Sequence, residues 1–272
     1  MTQRSTRLPF VQIDAFAHAP FTGNPAAVMP LDQWLGDDVL QAIAQENNLA
    51  ETAFTVPLPS GAGADYELRW FTPAVEVALC GHATLASGHA LMGAERQSIR
   101  FRTRQAGDLV VSRAAGAEAD AYRLDLPAWT MEPADLPEIA ALLGGLAPTE
   151  MRARDGGYRL LVYADEAQVR ALRPDFPALG KLGNLLIIAT APGRETDVVS
   201  RAFAPGAGID EDPVTGSAHC LLTPYWSERL GRDQFTAYQA SARGGYIDCE
   251  RTGERAILTG RCRTVIEGQF LL

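Results

Sequence analysis

Apolar and polar residues alternate along many short stretches of this chain. Alternation with a period of two is typical of a strand that has one face in the core. Short helical patterns lie between these stretches, near LPEIAALLG and DEAQVRAL. The pattern predicts mostly antiparallel sheet in both halves of the chain. The predicted strands are residues 10–16, 66–71, 98–103, 108–113 and 122–127, then 158–164, 184–190, 198–204, 235–241 and 256–260.

Two segments of the chain resemble each other. Residues 70–91 read WFTPAVEVALCGHATLASGHAL, and residues 202–222 read AFAPGAGIDEDPVTGSAHCLL. Each has the pattern of a strand, a proline turn, an irregular loop and a helix that begins at a glycine. Internal repetition of this kind predicts two similar lobes, and we expect equivalent ends of the lobes to face each other across one cleft.

The two helices of this repeat contain no charged residue from 81 to 94 and from 216 to 227. A helix that is apolar or small on every side is buried on every side. We therefore predict an α+β fold in which each lobe is a mostly antiparallel β-barrel around a central buried α-helix. The predicted lobes are residues 1–127 and 128–272, joined near the Pro/Ala-rich stretch 127–137, and the strand near 262–272 is a candidate to pack on the first lobe.

Composition excludes several classes of function. The chain has 272 residues, 47% of them hydrophobic, with a net charge of -9. An acidic chain without a basic run repels nucleic acid. The first residues lack the apolar run of a signal peptide, and no later run reaches membrane-spanning length. We expect a soluble, cytoplasmic protein with no nucleic acid or membrane partner.

The sequence also gives little support for a metal or an organic cofactor. The four cysteines lack the spacing of a disulfide framework or zinc ribbon, so we expect reduced thiols and no metal. The only lysine, Lys181, lies in a loop-like stretch without a phosphate-binding glycine pattern, which argues against a Schiff-base cofactor. Neither GxGxxG nor GxxxxGK[ST] occurs, so nucleotide cofactors lack support as well. The cysteines are Cys80, Cys220, Cys249 and Cys262.

Five separated blocks of the chain resemble the signature blocks of the PhzF family, the phenazine biosynthesis-like isomerases. They are FTGNPAAV (21–28), NLAETAF (48–54), CGHATLASGHAL (80–91), GIDEDPVTGSAH (208–219) and GGYI (244–247). The resemblance implies the two-lobe fold of diaminopimelate epimerase and proton transfer without a cofactor, often in a homodimer. For the founding member it implies isomerisation of a dihydro-hydroxyanthranilate, but it does not imply that substrate here.

Gly81 and Gly216 each begin one of the uncharged helices. The free N–H groups and the positive dipole end of a helix start form a ready site for an anion. A substrate carboxylate held there could spread the negative charge that develops when a neighbouring carbon loses a proton. The alternative is structural, because glycine also permits a tight entry from a loop into a helix.

Glu51 is the candidate acid/base. It lies between a predicted helix (37–48) and a short strand-like run (52–56), among apolar neighbours, where a carboxyl group could exchange a proton with substrate. In the family, a Glu in the matching block moves a proton between carbons. Ala50 replaces the common Ser and leaves the Glu in register. Without the resemblance, an ordinary surface Glu would be the simpler interpretation.

The resemblance implies three further substrate-binding residues. His82, at a helix N-terminus that disfavours its cation, should orient the substrate as a neutral imidazole. Asp212 and Ser217 match family positions that contact amino or hydroxyl groups of the substrate and help to relay the proton. Each also has a structural interpretation: a buried structural His, a turn Asp before Pro213 and a helix-start Ser.

Two alternatives remain from the sequence. Cys80 precedes Gly81 as one thiol precedes each helix in the two-cysteine epimerases of this fold, so an amino-acid epimerase or racemase that uses Cys80 is possible. Its counterpart is Thr215, and the absence of a second thiol argues against cysteine-based racemisation. A small-acid binding protein without turnover is the other alternative, although a binder would not need a carboxylate beside a carboxylate site.

Overall fold

In the computed structural model, which describes residues 6–116 and 120–272, the chain divides into two units. The first unit contains the chain up to Asp125 together with Thr259–Leu272, and the second contains Leu126–Leu258. The first unit therefore takes its last strand from the C-terminal end of the chain. Within the described residues, no helix combines the length and the apolar character needed to span a bilayer.

The first unit is built from strands around two helices. Its helices are α1 (Asp37–Asn47) and α2 (Gly81–Leu91). Its strands are β1 (Arg7–Ala15), β2 (Asn24–Pro30), β3 (Glu51–Pro57), β4 (Tyr66–Phe71), β5 (Glu76–Val77), β6 (Ser98–Thr103), β7 (Asp108–Arg113) and β8 (Ala121–Pro127), whose last two residues lie in the second unit.

The second unit repeats this plan. Its helices are α3 (Pro137–Leu143), α4 (Glu166–Ala171), α5 (Phe176–Gly180) and α6 (Gly216–Leu230), with a short 3-10 helix at Pro205–Ala207. Its strands are β9 (Glu132–Pro133), β10 (Glu150–Arg154), β11 (Tyr158–Val162), β12 (Leu186–Pro192), β13 (Val198–Ala204), β14 (Ile209–Asp212), β15 (Gln234–Gln239), β16 (Gly245–Thr252) and the start of β17 (Arg255–Leu271), which continues into the first unit.

Among the described residues of the first unit, eight strands close into a barrel in the order β1-β2-β3-β4-β6-β7-β8-β17 and back to β1. The pairs β2–β3 and β4–β6 are parallel, and the pairs β1–β2, β3–β4, β6–β7, β7–β8 and β1–β17 are antiparallel. In the second unit, β10-β11-β12-β13-β15-β16 follow in the same order, with parallel pairs at the same two places. The predicted duplication and the α+β fold are confirmed.

Helix α2 is the central helix of the first barrel. Residues Gly81 to Gly88 are buried, and the helix contacts β1, β2, β3, β6 and β7. Gly88 lets the helix approach the barrel wall, because a Cβ at this position would lie 2.4 Å from Cγ1 of Val111 on β7. Helix α2 carries no charged residue because strands of the barrel surround it and bury its side chains.

We expect Gly88→Ala to destabilise the protein by about 1–3 kcal/mol, since an added methyl group overpacks this contact despite the better helix propensity of Ala. Chemical denaturation of Gly88→Ala, Val111→Ala and the double variant measures the effect. The double variant should lose less than the sum of the single variants, with a coupling energy of about 0.5–3 kcal/mol. Additive losses would show that the contact between Gly88 and Val111 does not limit the packing.

Helix α6 is the equivalent helix of the second unit. It is buried at Gly216 and from Ala218 to Ser227, and it continues to Leu230, beyond the uncharged stretch 216–227. Pro224 lies inside the helix and has no N–H for the carbonyl of Cys220. The backbone N–H of Trp129 binds that carbonyl instead, at 2.8 Å. The carbonyl of Cys220 therefore keeps a hydrogen-bond partner despite the interior proline.

Candidate functional site

Glu51 lies at the start of strand β3 in the first unit. Helix α1 ends at Asn47, where Asn48 adopts a left-handed conformation (φ 48°) and its N–H binds the carbonyl of Ala44. The chain then turns directly into β3, which pairs in parallel with β2 and sets Glu51 beside Ala26. This tight connection leaves the Glu51 residue only 9% exposed. The alternative of an ordinary surface Glu is therefore wrong for this position.

His82 is the second residue of α2 and is 3% exposed. Its Nε2 lies 3.2 Å from Oε2 of Glu51, and its Nδ1 lies 3.1 Å from Nδ2 of Asn24, the first residue of β2. The helix start and two neighbouring strands thus bring three polar side chains together. Asn24 belongs to the FTGNPAAV block, but the sequence analysis did not assign it a role.

Burial lowers the pKa of His82 to about 3, although a hydrogen bond with the backbone of Pro25 acts in the opposite direction. The ring is therefore neutral near pH 7, and burial is the cause. A neutral imidazole carries one N–H and one lone pair. It can donate to a Glu51 carboxylate or accept from a Glu51 carboxylic acid, so this partner is suited to both protonation states of an acid/base.

Cys80 precedes α2 and is 5% exposed. Its Sγ lies 3.5 Å from Nδ1 of His82. One ligand atom from each of Glu51, Cys80 and His82 lies within 4.8 Å of the other two. Three of the residues singled out in the sequence therefore form one cluster, which we call the Glu51 cluster.

The remaining candidates lie in the second unit. Asp212 ends β14 and is 8% exposed, and its Oδ2 accepts a short hydrogen bond from the hydroxyl of Thr215. Gln239 fixes this turn, because its Oε1 accepts from the Thr215 N–H at 2.8 Å and its Nε2 donates to the Asp212 carbonyl at 2.7 Å. The sequence analysis missed Gln239, which lies in no motif and reaches the turn only through the fold.

Ser217 is the second residue of α6 and is partly buried. It forms a hydrogen bond with Tyr158 that opposes the rise in pKa that burial causes in this phenol. Gly216 begins α6 as Gly81 begins α2, and both preceding residues have extended backbone. The side chains of the two N-cap residues, Cys80 and Thr215, do not cap their own helices, which is compatible with the predicted anion sites. The binding of a substrate carboxylate there stays a prediction.

Comparison with known proteins identifies the family. The sequence profile of the PhzC-PhzF family, described as phenazine biosynthesis-like protein, matches residues 13–268. The chain belongs to this family. Two proteins of Pseudomonas aeruginosa described as uncharacterized isomerases are each 46% identical to it, over 97% and 98% of this chain and 99% of each relative. The chain is accordingly an enzyme of the isomerase class.

Solved structures agree with this family and fold. The crystal structure of a PhzF family protein from Enterococcus faecalis is 41% identical and covers 98% of this chain and 100% of its own, with a TM-score of 0.87. A hydroxyproline epimerase from Agrobacterium vitis shares the fold at 14% identity, with a TM-score of 0.61 over 98% of this chain and 93% of its own. The fold is that of the diaminopimelate epimerase-like proteins, as the motifs implied.

Proposed function

We propose that this PhzF family isomerase moves a proton between carbon atoms of a small carboxylate-bearing substrate, with Glu51 as the general acid/base and without a cofactor. The observation that carries the proposal is the buried Glu51 carboxylate 3.2 Å from the neutral imidazole of His82. Proton transfer by a positioned side chain needs such a group near the reacting carbon, together with a partner that tolerates both of its protonation states.

The proposed reaction has two steps. Glu51 takes a proton from a carbon next to, or conjugated with, the substrate carboxylate, and the electron pair of that C–H bond spreads onto the carboxylate oxygens. Backbone N–H groups at the start of α2, from Gly81 onward, would stabilise this charge. Glu51 then returns the proton to a different carbon. No atom is lost and no oxidant or reductant is needed.

The other predicted residues have binding roles in this proposal. His82 orients the Glu51 carboxyl group and the substrate. Asp212, Ser217 and Gly216 bind polar groups of the substrate, as the family resemblance implies. The hydrogen bonds of Thr215 and Gln239 around Asp212 support such a role, since a binding group is most effective when its own geometry is fixed.

The distances disfavour an epimerase in which Cys80 is paired with Glu51. In a two-base epimerase the acid and the base flank one carbon, each about 3 Å from it, so the two groups must lie roughly 6 Å apart. The ligand atoms of Glu51 and Cys80 lie within 4.8 Å of each other, beside the same imidazole. This spacing favours a single acid/base over a pair on opposite faces of a carbon.

Deuterium incorporation tests the proposal. We expect the protein in deuterated water, given a panel of cyclic and linear amino and hydroxy acids, to place deuterium on one carbon of the true substrate. Product formation must be followed by NMR in the same samples, because an internal shuttle returns the original proton. Exchange that survives in Glu51→Gln and disappears in Cys80→Ala would replace the proposed mechanism with the cysteine alternative.

Asn24 should act as a positioning residue through His82. We expect Asn24→Ala to lower kcat about fivefold with little change in KM, since a lost hydrogen bond of about 1 kcal/mol lets the imidazole turn away from Glu51. Asn47→Ala is the matched control, because it removes a hydrogen bond to Thr52 in the same unit without touching His82. Equal losses of kcat in the two variants would assign Asn24 a merely structural role.

A further inference from the structure

The Glu51 cluster combines three side chains of different chemistry at one point. A thiol, an imidazole and a carboxylate are the three ligand types that zinc prefers in proteins. The sequence analysis expected no metal because the four cysteines lack the spacing of a zinc ribbon. The fold supplies the carboxylate from strand β3.

We propose that the Glu51 cluster is a binding site for a thiophilic divalent cation such as Zn²⁺, with Glu51, Cys80 and His82 as its three protein ligands. The inference concerns binding and does not depend on the proposed reaction. Three protein ligands leave one position of a tetrahedral ion open to water or to an incoming ligand. Hard cations such as Mg²⁺ and Ca²⁺ should bind weakly here, because they prefer oxygen ligands alone.

The distances support this assignment. Ligand atoms about 2.0–2.3 Å from a tetrahedral zinc ion lie roughly 3.3–3.7 Å from one another. Sγ of Cys80 is 3.5 Å from Nδ1 of His82, and Oε2 of Glu51 is 3.2 Å from Nε2. If Nδ1 of His82 binds the ion, Sγ of Cys80 is already at the spacing of a second ligand. If Nε2 binds it, Oε2 of Glu51 is already at that spacing. The third ligand must move on the order of 1 Å, since all three atoms lie within 4.8 Å.

Charge and surroundings also fit a divalent cation. Binding converts the Cys80 thiol to a thiolate and releases one proton, so the thiolate and the Glu51 carboxylate together balance the two positive charges of the ion. If Nε2 of His82 binds the ion, Nδ1 retains Asn24 as a neighbour that can orient the bound ring. Glu51 is the most exposed of the three residues, so we expect the ion to enter from its side.

Cobalt absorption tests the site directly on the full-length protein. Titration with Co²⁺ should produce a thiolate-to-cobalt charge-transfer band with one ion per chain, and Zn²⁺ should displace the cobalt. Cys80→Ala and the near-isosteric Cys80→Ser should both lose the band, and Glu51→Gln should bind Co²⁺ at least tenfold more weakly. Cys262→Ala is the matched control, because Cys262 is a buried cysteine of the same unit outside the cluster.

An unchanged band in Cys80→Ala, or no band in the wild-type protein at millimolar Co²⁺, would overturn the proposal. A second measurement separates this inference from the proposed reaction. Zn²⁺ should inhibit turnover and a chelator should restore it, because the ion occupies the carboxylate of Glu51. Cobalt binding at Cys80 without any inhibition by Zn²⁺ would support the metal site and contradict the catalytic role of Glu51.

Discussion

Glu51→Gln is expected to lower turnover by about 10²–10⁴, the usual effect of removing a general acid/base. The glutamine amide keeps the size of the side chain and can still form a hydrogen bond with His82. It cannot take up and return a proton. Binding of the substrate should therefore remain nearly unchanged while kcat falls. Steady-state kinetics on the substrate found by deuterium incorporation, with calorimetric measurement of ligand binding, separates the two effects.

Glu46→Gln is the matched control for this experiment. Glu46 is exposed on α1 in the same unit and undergoes the same change of side chain. We expect it to keep wild-type turnover. If Glu51→Gln retains comparable turnover, the proton is carried by another group and Cys80→Ala becomes the next test. If Glu51→Gln binds ligand poorly while Glu46→Gln binds it normally, Glu51 contributes to the fold of the site more than to its chemistry.

Strands with one face in the core were predicted well from the sequence. The bounds of β4, β6, β7 and β13 are those predicted, and along β6 and β7 buried residues do repeat at every second position. Strand β2 was missed because nearly all of its residues are buried, so its sequence does not alternate. A strand buried on both faces cannot be recognised by periodicity alone.

Strand β17 shows a second limit of pattern analysis. The sequence analysis predicted a strand at residues 256–260 and a separate strand near 262–272 as a candidate to pack on the first lobe, whereas the structure has one continuous strand from Arg255 to Leu271. From Arg263 to Gln269 its residues are exposed, so hydrophobicity gives no signal there. The strand continues because its second half pairs with the whole of β1, from Arg7 opposite Leu271 to Ala15 opposite Cys262. A partner from the other end of the chain is not visible in a local pattern.

The candidate site could be predicted only in part for the same reason. Glu51, Cys80 and His82 were singled out from blocks that are separated in sequence, and the fold brings them together. Asn24 was quoted within a block, but its contact with His82 depends on how β2 lies against α2. Gln239 lies on β15 and acts on a turn that precedes α6. Long-range contacts of this kind follow from the packing of the barrels.

Acidification from pH 7.5 to pH 5.0 is expected to lower the free energy of unfolding by about 4 kcal/mol. Burial lowers the pKa of His82 to about 3 and that of His219 to about 4, from the usual value of 6.5 for histidine. At a pH between these folded-state pKa values and 6.5, the two histidines are protonated in the unfolded chain but neutral in the folded protein. Stability therefore falls as the pH falls. At pH 5.0 each histidine is about 1.5 pH units below its unfolded pKa, which corresponds to about 2 kcal/mol.

Urea denaturation at the two pH values measures this dependence. His219→Gln should reduce the loss of stability by about half, because the glutamine amide does not titrate in this pH range and the contribution of His219 is removed. His18→Gln, at an exposed position, is the control and should leave the loss unchanged. An undiminished loss in His219→Gln would assign the acid sensitivity to other groups. Since His82 lies in the first unit and His219 in the second, separate unfolding transitions would each shift by about 2 kcal/mol.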